Sequence, residues 1–387
     1  MDHRWVGVGR SRLTDPAHAA IEAVHGACQE RDAKLVVLFA SESHDLPALL
    51  SQAAREAGSA PLIGCSTAGE IATGGPSDAG VVVVALGGDG FTIQTTSVTG
   101  IAQDARQAGA DAAACLGDVA DSPHHILLLL TDGLAGDQQE IVRGAYSVAG
   151  AGVPLVGGCA GDDLKMAATH QFYGERVLQN TIVAAAIGSD APLGIGVRHG
   201  WRAVGEGMLV TSAGSNRVLE LDDQPALDVY CEMLDVPAEA RTDAEAFTRF
   251  ALTHPLGMSR RASEEQVRFI AGADFEERSL LTIAEVPQGG VVWLMEGDDD
   301  SVLAATDAAC ADALAALDGA EPKGMIVFDC IARRGVLGDA GIDREVERVA
   351  RHAGGAPVAG FYTYGEIART QGVSGFHNQT LVVLAVA

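Results

Sequence analysis

One order of parts recurs three times along this chain: an apolar strand, a helix, a loop opening Pro-x-x-Gly, and a second apolar strand. The first copy runs through Lys34 to Phe39, Leu46 to Ala57, a loop from Pro61 and Gly64 to Gly69-Glu70-Ile71-Ala72, and Val81 to Leu86. The second uses His125 to Leu130, Gln138 to Val148, a loop from Pro154 through Gly157-Gly158 to Asp162-Asp163, and Thr181 to Ile187. The third uses Met325 to Asp329, Arg344 to His352, a loop from Pro357 and Gly360 to Gly365-Glu366-Ile367-Ala368, and Thr380 to Val386. Apolar runs of strand length with no polar alternation belong to strands covered on both faces. The first and third loops share Pro, Gly, Thr and Gly-Glu-Ile-Ala at identical offsets, whereas the middle loop loses a residue before its acidic end. The pattern predicts an α/β to α+β fold, with mixed sheets built from repeated strand-helix-loop-strand units. Between the second and third copies, Arg198 to Arg202, Asn216 to Leu221 and Val291 to Met295 read as strands of a mostly antiparallel sheet. Pro225 to Met233 and the Ala-rich stretch Val302 to Leu317 read as helices. Two associated domains are expected, 1–220 and 221–387.

Composition narrows the function. The chain has 387 residues and a formal net charge of −26, and its only lysines are Lys34, Lys165 and Lys323. Such a surface repels nucleic-acid phosphate and anionic lipid, which excludes nucleic acid and membrane as partners. The N-terminus, Met1 to Gly7, carries no long apolar core of a signal peptide, and no apolar run approaches the roughly 20 residues of a membrane span. A cytoplasmic location is expected. The seven cysteines include no C-x-x-C pair, so neither a zinc site nor a disulfide framework is encoded. Asp298-Asp299-Asp300 stands ahead of a helix, where acidic side chains suit the dipole, rather than forming a cation site.

Several strings taken together resemble the FIST family. Pro61 to Ile71 and Pro154 to Gly158 are similar to its N-terminal domain. Gly200-Trp201-Arg202, Asn216 to Leu221 with Pro225-Ala226-Leu227, His254 to Gly257, Gly360 to Glu366 and His377 to Thr380 are similar to its C-terminal domain. The resemblance implies a sensory module for small ligands. It further implies amino acids as candidate ligands, haem and nitric oxide in some bacterial members, and a signalling protein as candidate partner, no output domain being expected within these residues.

No complete catalytic constellation accompanies these strings. A nucleophile elbow needs Gly two residues after Ser66, where Ala68 stands, and no dinucleotide fingerprint is met. The chain is therefore expected to bind rather than turn over, the alternative being a cysteine-dependent enzyme using Cys65 or Cys159. An amino acid ligand needs donors for its carboxylate and a counter-charge for its ammonium. Arg198 and Arg202 are the candidate forks. The glycine loops, through Gly64, Ser66, Thr67, Gly69 and Gly158, supply candidate N–H and hydroxyl groups, and Glu70, Asp162 and Glu366 the counter-charge. Tyr364 is a candidate pocket wall. Glu70 and Glu366, at matching offsets, are expected at strand ends facing a shared crevice. Should haem be the ligand, His254 is the candidate axial residue, ahead of His199 and His377, because Pro255 restricts the backbone beside it.

Overall fold

The computed structural model describes residues 3–214, 216–259, 265–370 and 375–387. Its first unit comprises β1 (Trp5–Ser11), α1 (Pro16–Cys28), β2 (Ala33–Ala40), α2 (Leu46–Ala57), β3 (Leu62–Ser66), the hairpin β4 (Glu70–Ala72) and β5 (Gly75–Ser77), and β6 (Val81–Gly87). The second repeats that order: β7 (Phe91–Thr99), α3 (Ala105–Ala113), β8 (His124–Thr131), α4 (Gln138–Ala149), β9 (Leu155–Cys159), β10 (Gln171–Tyr173), β11 (Arg176–Leu178) and β12 (Thr181–Ser189). The third begins with β13 (Leu193–Arg198) and is then interrupted. The interruption contains β14 (Arg202–Gly214), β15 (Arg217–Leu221), β16 (Gln224–Pro225), α5 (Ala226–Met233), α6 (Ala244–Ala251), β17 (Leu256–Ser259), β18 (Glu265–Arg268), β19 (Ile270–Asp274), β20 (Ser279–Thr282) and β21 (Val291–Glu296). The third unit resumes with α7 (Asp299–Ala315), β22 (Gly324–Cys330), α8 (Ile331–His352), β23 (Val358–Thr363), β24 (Glu366–Arg369), β25 (Phe376–His377) and β26 (Leu381–Val386).

Each unit builds a six-stranded sheet to one plan, and each completes it with a hairpin borrowed from another unit. The orders are β1-β6-β2-β3-β10-β11, β7-β12-β8-β9-β24-β25 and β13-β26-β22-β23-β4-β5. Unit one thus lends its hairpin to unit three, three to two, and two to one, which closes a ring. Within each sheet only one pair is parallel, β2 with β3, β8 with β9 and β22 with β23. The sequence's domain limit at residue 220 falls inside β15, while strands on both sides of it share the third sheet.

Strand alternation explains why both faces are apolar. Leu35, Val37 and Phe39 of β2 point to a central core shared by the three sheets, where Phe361 meets Phe39 at 4.7 Å and Phe328 at 5.8 Å between ring centroids. Val36, Leu38 and Ala40 point outward under α1 and α2. The outer faces of the other two sheets are covered in the same way, by α3 and α4 and by α7 and α8. The inserted strands make a separate sheet with its own core against α5 and α6.

The repeated Pro-x-x-Gly has a packing cause. Gly64, Gly157 and Gly360 sit directly opposite Leu38, Leu129 and Val327 in the parallel ladders. A Cβ on any of the three would lie 1.9 Å from that partner's carbonyl oxygen. Helix starts follow the sequence: Asp15, Asp45 and Asp137 cap α1, α2 and α4, and Asp298 with Ser301 forms a capping box on α7. The helix expected from Arg344 is the second half of α8, which kinks at Gly338 where φ is 60°. Among the described residues no helix is long and apolar enough to cross a membrane.

A candidate ligand cavity at the carboxyl ends of two strands

The three loop carboxylates divide into two kinds. Glu70 is fully buried; its Oε1 accepts from the Thr67 hydroxyl at 2.7 Å, and its Oε2 from the Ser77 hydroxyl and the Gly80 N–H, both at 2.9 Å. Glu366 repeats this geometry. It accepts from the Thr363 hydroxyl at 2.7 Å and from the Thr380 hydroxyl and N–H at 2.9 and 3.1 Å. Gly80 and Thr380 immediately precede β6 and β26, so each glutamate latches its loop to the strand that returns through its own unit's sheet. Burial pushes both carboxyls up to about 7, against the pull of these donors.

The middle copy performs the latch with a different residue. Asp132, at the end of β8, accepts from the Asn180 N–H at 2.7 Å, ahead of β12, and from the Thr169 hydroxyl at 2.6 Å. Asp162 is released for another task. Its two oxygens gather the N–H groups of Met166, Ala167 and Ala168 at 3.0, 2.6 and 3.0 Å, and the Tyr364 hydroxyl donates to it. The Tyr364 oxygen in turn accepts the Leu164 N–H at 2.8 Å. Burial opposes ionisation of Asp162, but the tyrosine and the three N–H groups outweigh it and hold this carboxyl below its ordinary value. The result is a strap, 162–168, in which Asp163, Leu164 and Met166 adopt left-handed φ of 54°, 62° and 52°. Leu164 and Met166 are more than 60% exposed. Non-glycine residues held there cost free energy, and such strain collects at binding sites.

Beneath that strap lies a cavity of about 950 Å³. One wall follows β8, through Gly133, Gly136 and the first turn of α4 as far as Arg143. A second is the junction of β22 and α8, Cys330 to Ala332 with Gly335. The inserted region supplies the third, with Leu252 at the end of α6, Phe269 between β18 and β19, and Ile283, Ala284 and Glu285 after β20, and Tyr364 and Phe376 of unit three complete the lining. The cavity therefore stands at the carboxyl ends of β8 and β22, where helices follow strands and α/β folds commonly bind ligands. The β22–α8 wall is fixed from behind by Arg333, which is fully buried and donates to Asp329 at 2.8 Å, to Glu345, and to the His199 carbonyl at 3.0 Å.

Of the residues singled out in the sequence, Tyr364 lines this cavity. Asp162 acts on it through Tyr364 and the strap. Gly64, Ser66, Thr67, Gly69, Glu70, Gly158 and Glu366 belong to the ladders and latches; Ser66, for example, donates to the Gly161 carbonyl at 2.7 Å. Arg198 and Arg202 lie on the surface, paired with Asp312 at 2.6 Å and Asp298 at 3.0 Å. Cys65 and Cys159 are buried off the cavity, and burial pushes both thiols up, that of Cys159 to about 12. His254 is not among the walls either. Its ring stacks on Phe250 at 4.1 Å, and its Nδ1 lies 3.0 Å from the Phe250 carbonyl. No histidine is among the described lining residues, so this cavity does not offer haem the axial imidazole expected of His254.

Asp132 of the latch, and Cys330 and the inserted residues of the cavity wall, are positions that the sequence reading did not single out for a site. The first two were within reach, since each stands at the carboxyl end of a covered strand. Nothing local marks Phe269 or Ala284, which arrive from a separate sheet.

Comparison with known proteins identifies the family. The FIST N domain model matches residues 34–224, and the FIST C domain model residues 226–369. An uncharacterised protein of Mycobacterium tuberculosis is 27% identical over 392 residues, covering 97% of each chain. An uncharacterised protein of Methanocaldococcus jannaschii is 28% identical over 154 residues, which is 38% of this chain and 30% of that protein. The chain thus spans less than a third of the archaeal relative's length.

Proposed function

Because the chain belongs to the FIST family, whose domains are regarded as sensory, we propose that it is a sensory protein that binds a small molecule in the cavity under the 162–168 strap. The observation that carries this reading is the origin of the walls. Unit two, unit three and the inserted sheet each contribute one side. An occupant touches all three at once and biases how they sit together, which is what a sensor requires of its ligand. The occupant's contacts would stabilise the closed strap over other arrangements of the same loop, and that difference is the signal available to a partner protein.

Cys65 and Cys159 are buried, among the described residues neither thiol has a histidine or carboxylate as hydrogen-bond partner, and burial favours the protonated thiols, so turnover gains no support from them. Arg198 and Arg202 are solvent-exposed and separated from the cavity walls, which leaves an amino acid carboxylate without the forks the sequence suggested.

The test is a melting-temperature screen of the purified chain against small metabolites, repeated on Ala284→Trp, which places a bulky ring in the cavity. Binding to the folded state raises the melting temperature by mass action, by about 2.7 kcal/mol of stability at a hundredfold excess over Kd. Hits should shift the parent protein and leave Ala284→Trp unmoved. Hits that shift both proteins equally would place binding elsewhere and sink the proposal.

A further inference from the structure

From the charges and aromatic side chains that line it, we infer that this cavity selects an organic monocation with an apolar body, an amphipathic amine, over a carboxylate or a zwitterionic amino acid. The inference rests on the small-molecule reading of the cavity and adds the chemical class of the occupant.

Four charged side chains line the cavity among the described residues: Asp137, Glu140, Arg143 and Glu285. Three are carboxylates and one is a guanidinium. That guanidinium is already matched, because Arg143 pairs with Glu140 on the preceding turn of α4, and Arg106 approaches the other oxygen of Glu140 at 3.6 Å. Asp137 directs Oδ1 to the N–H groups of Gln139 and Glu140 at 2.9 and 3.1 Å. Glu285 differs, since its carboxylate has no ionic or hydrogen-bonding partner among the described residues. The lining therefore carries an excess of negative charge, set in a protein whose formal charge is −26.

An incoming carboxylate meets this field unfavourably and must break the Arg143–Glu140 pair to gain a counter-ion. An ammonium gains the opposite, an unmatched carboxylate at the rim with no pair to break. The interior suits the rest of such a molecule. Phe269, Phe376 and Tyr364 line it with aromatic rings, and an aromatic ring attracts a cation held over its face within about 6 Å of its centre. Leu252, Ile331 and Ile283 give an apolar body a surface to cover. A zwitterion carries the same ammonium but adds a carboxylate with no free partner, and an unpaired buried charge is heavily penalised.

Three probes of one size separate the contributions: 3-phenylpropylamine, 3-phenylpropanol and 3-phenylpropionate, with phenylalanine as the zwitterion. Isothermal titration of the full chain near neutral pH and at low salt should rank amine above alcohol above carboxylate. The expected gap between amine and carboxylate is about tenfold or more, shrinking at high salt. Glu285→Gln should cut amine affinity by roughly three- to tenfold and leave the alcohol unchanged, and Glu285→Lys should reverse the ranking. Glu285 is exposed, so neither substitution threatens the fold. A carboxylate or phenylalanine that binds as tightly as the amine overturns the charge inference while leaving the cavity reading standing. Amine affinity that survives in Glu285→Lys, or in Ala284→Trp, overturns the inference as well. Failure of every probe to bind overturns the amine inference and leaves the cavity reading to the melting-temperature screen.

Discussion

The first and third glycine–glutamate loops hold their carboxylates with the same kinds of donor, two hydroxyls and one N–H, whereas the middle loop departs from them. In the complete copies Glu70 and Glu366 are consumed by a threonine within the loop and by donors at or before the returning strand. In the incomplete copy Asp132 takes over that duty, and Asp162 turns to Tyr364 and the strap. The lesson is that a repeat kept intact is spent on architecture, while the copy that breaks it has a carboxylate to spare for holding the strap. Local rules hold where the fold needs them, and their violation marks where something else is selected.

The sharpest way to break that comparison is to attack what all three copies share. Gly157→Ala puts a Cβ 1.9 Å from the Leu129 carbonyl at a φ of 145°. The expected loss is about 4 kcal/mol or more, read as a fallen urea midpoint or absence of folded protein. Gly152 has open space around it, and Gly152→Ala should change stability by less than about 0.5 kcal/mol. Equal effects of the two would mean that the ladder contact does not dictate the repeat.

Next in size is the pH response. Burial raises the Glu70 and Glu366 carboxyls to about 7 in the folded protein, above the ordinary 4.5. Between those values the folded chain keeps protons that the unfolded chain has released, so stability falls as pH rises and the loss is complete above about 7. Each carboxyl contributes at most about 3 kcal/mol to that fall. Chemical denaturation across pH 4.5 to 8 should show the decline in the parent protein, flattened in Glu70→Gln and Glu366→Gln. Asp162 is held low instead. Its contribution is present at neutral pH and disappears as pH drops through the folded value, so Asp162→Asn should flatten the acid side. Profiles of one shape for all three variants would erase the distinction between latch and strap.

The smallest expected effect is the most local. Tyr364→Phe removes the hydroxyl that joins Asp162 to the Leu164 N–H and should cost about 1 kcal/mol. Hydrogen exchange should speed up in 163–168 and stay unchanged in the β4–β5 hairpin, whose hydrogen bonds do not involve that hydroxyl. Uniform acceleration in both would show that Tyr364 supports the ring rather than the strap.

Much of the architecture is legible in the chain by itself. Apolar runs such as Val81 to Leu86 read as strands covered on both faces, Asp-Pro places helix starts, and the thrice-repeated order announces three like units, whereas Pro-x-x-Gly, read as the opening of a loop, proves to open the parallel strands β3, β9 and β23. These are local signals, because periodicity, capping and turn chemistry act between residues a few positions apart. Even the latches were half visible, since Glu70 and Glu366 recur at one offset from a proline. Only the tertiary structure decided what those carboxylates do, because their partners Gly80 and Thr380 lie 10 and 14 residues further on and the outcome depends on burial. The same holds for the exchange of hairpins around the ring, and for a cavity whose walls come from residues as distant as Gly133, Phe269 and Tyr364. Contacts of that span carry no local pattern, since they are fixed by which surfaces meet once the sheets have formed.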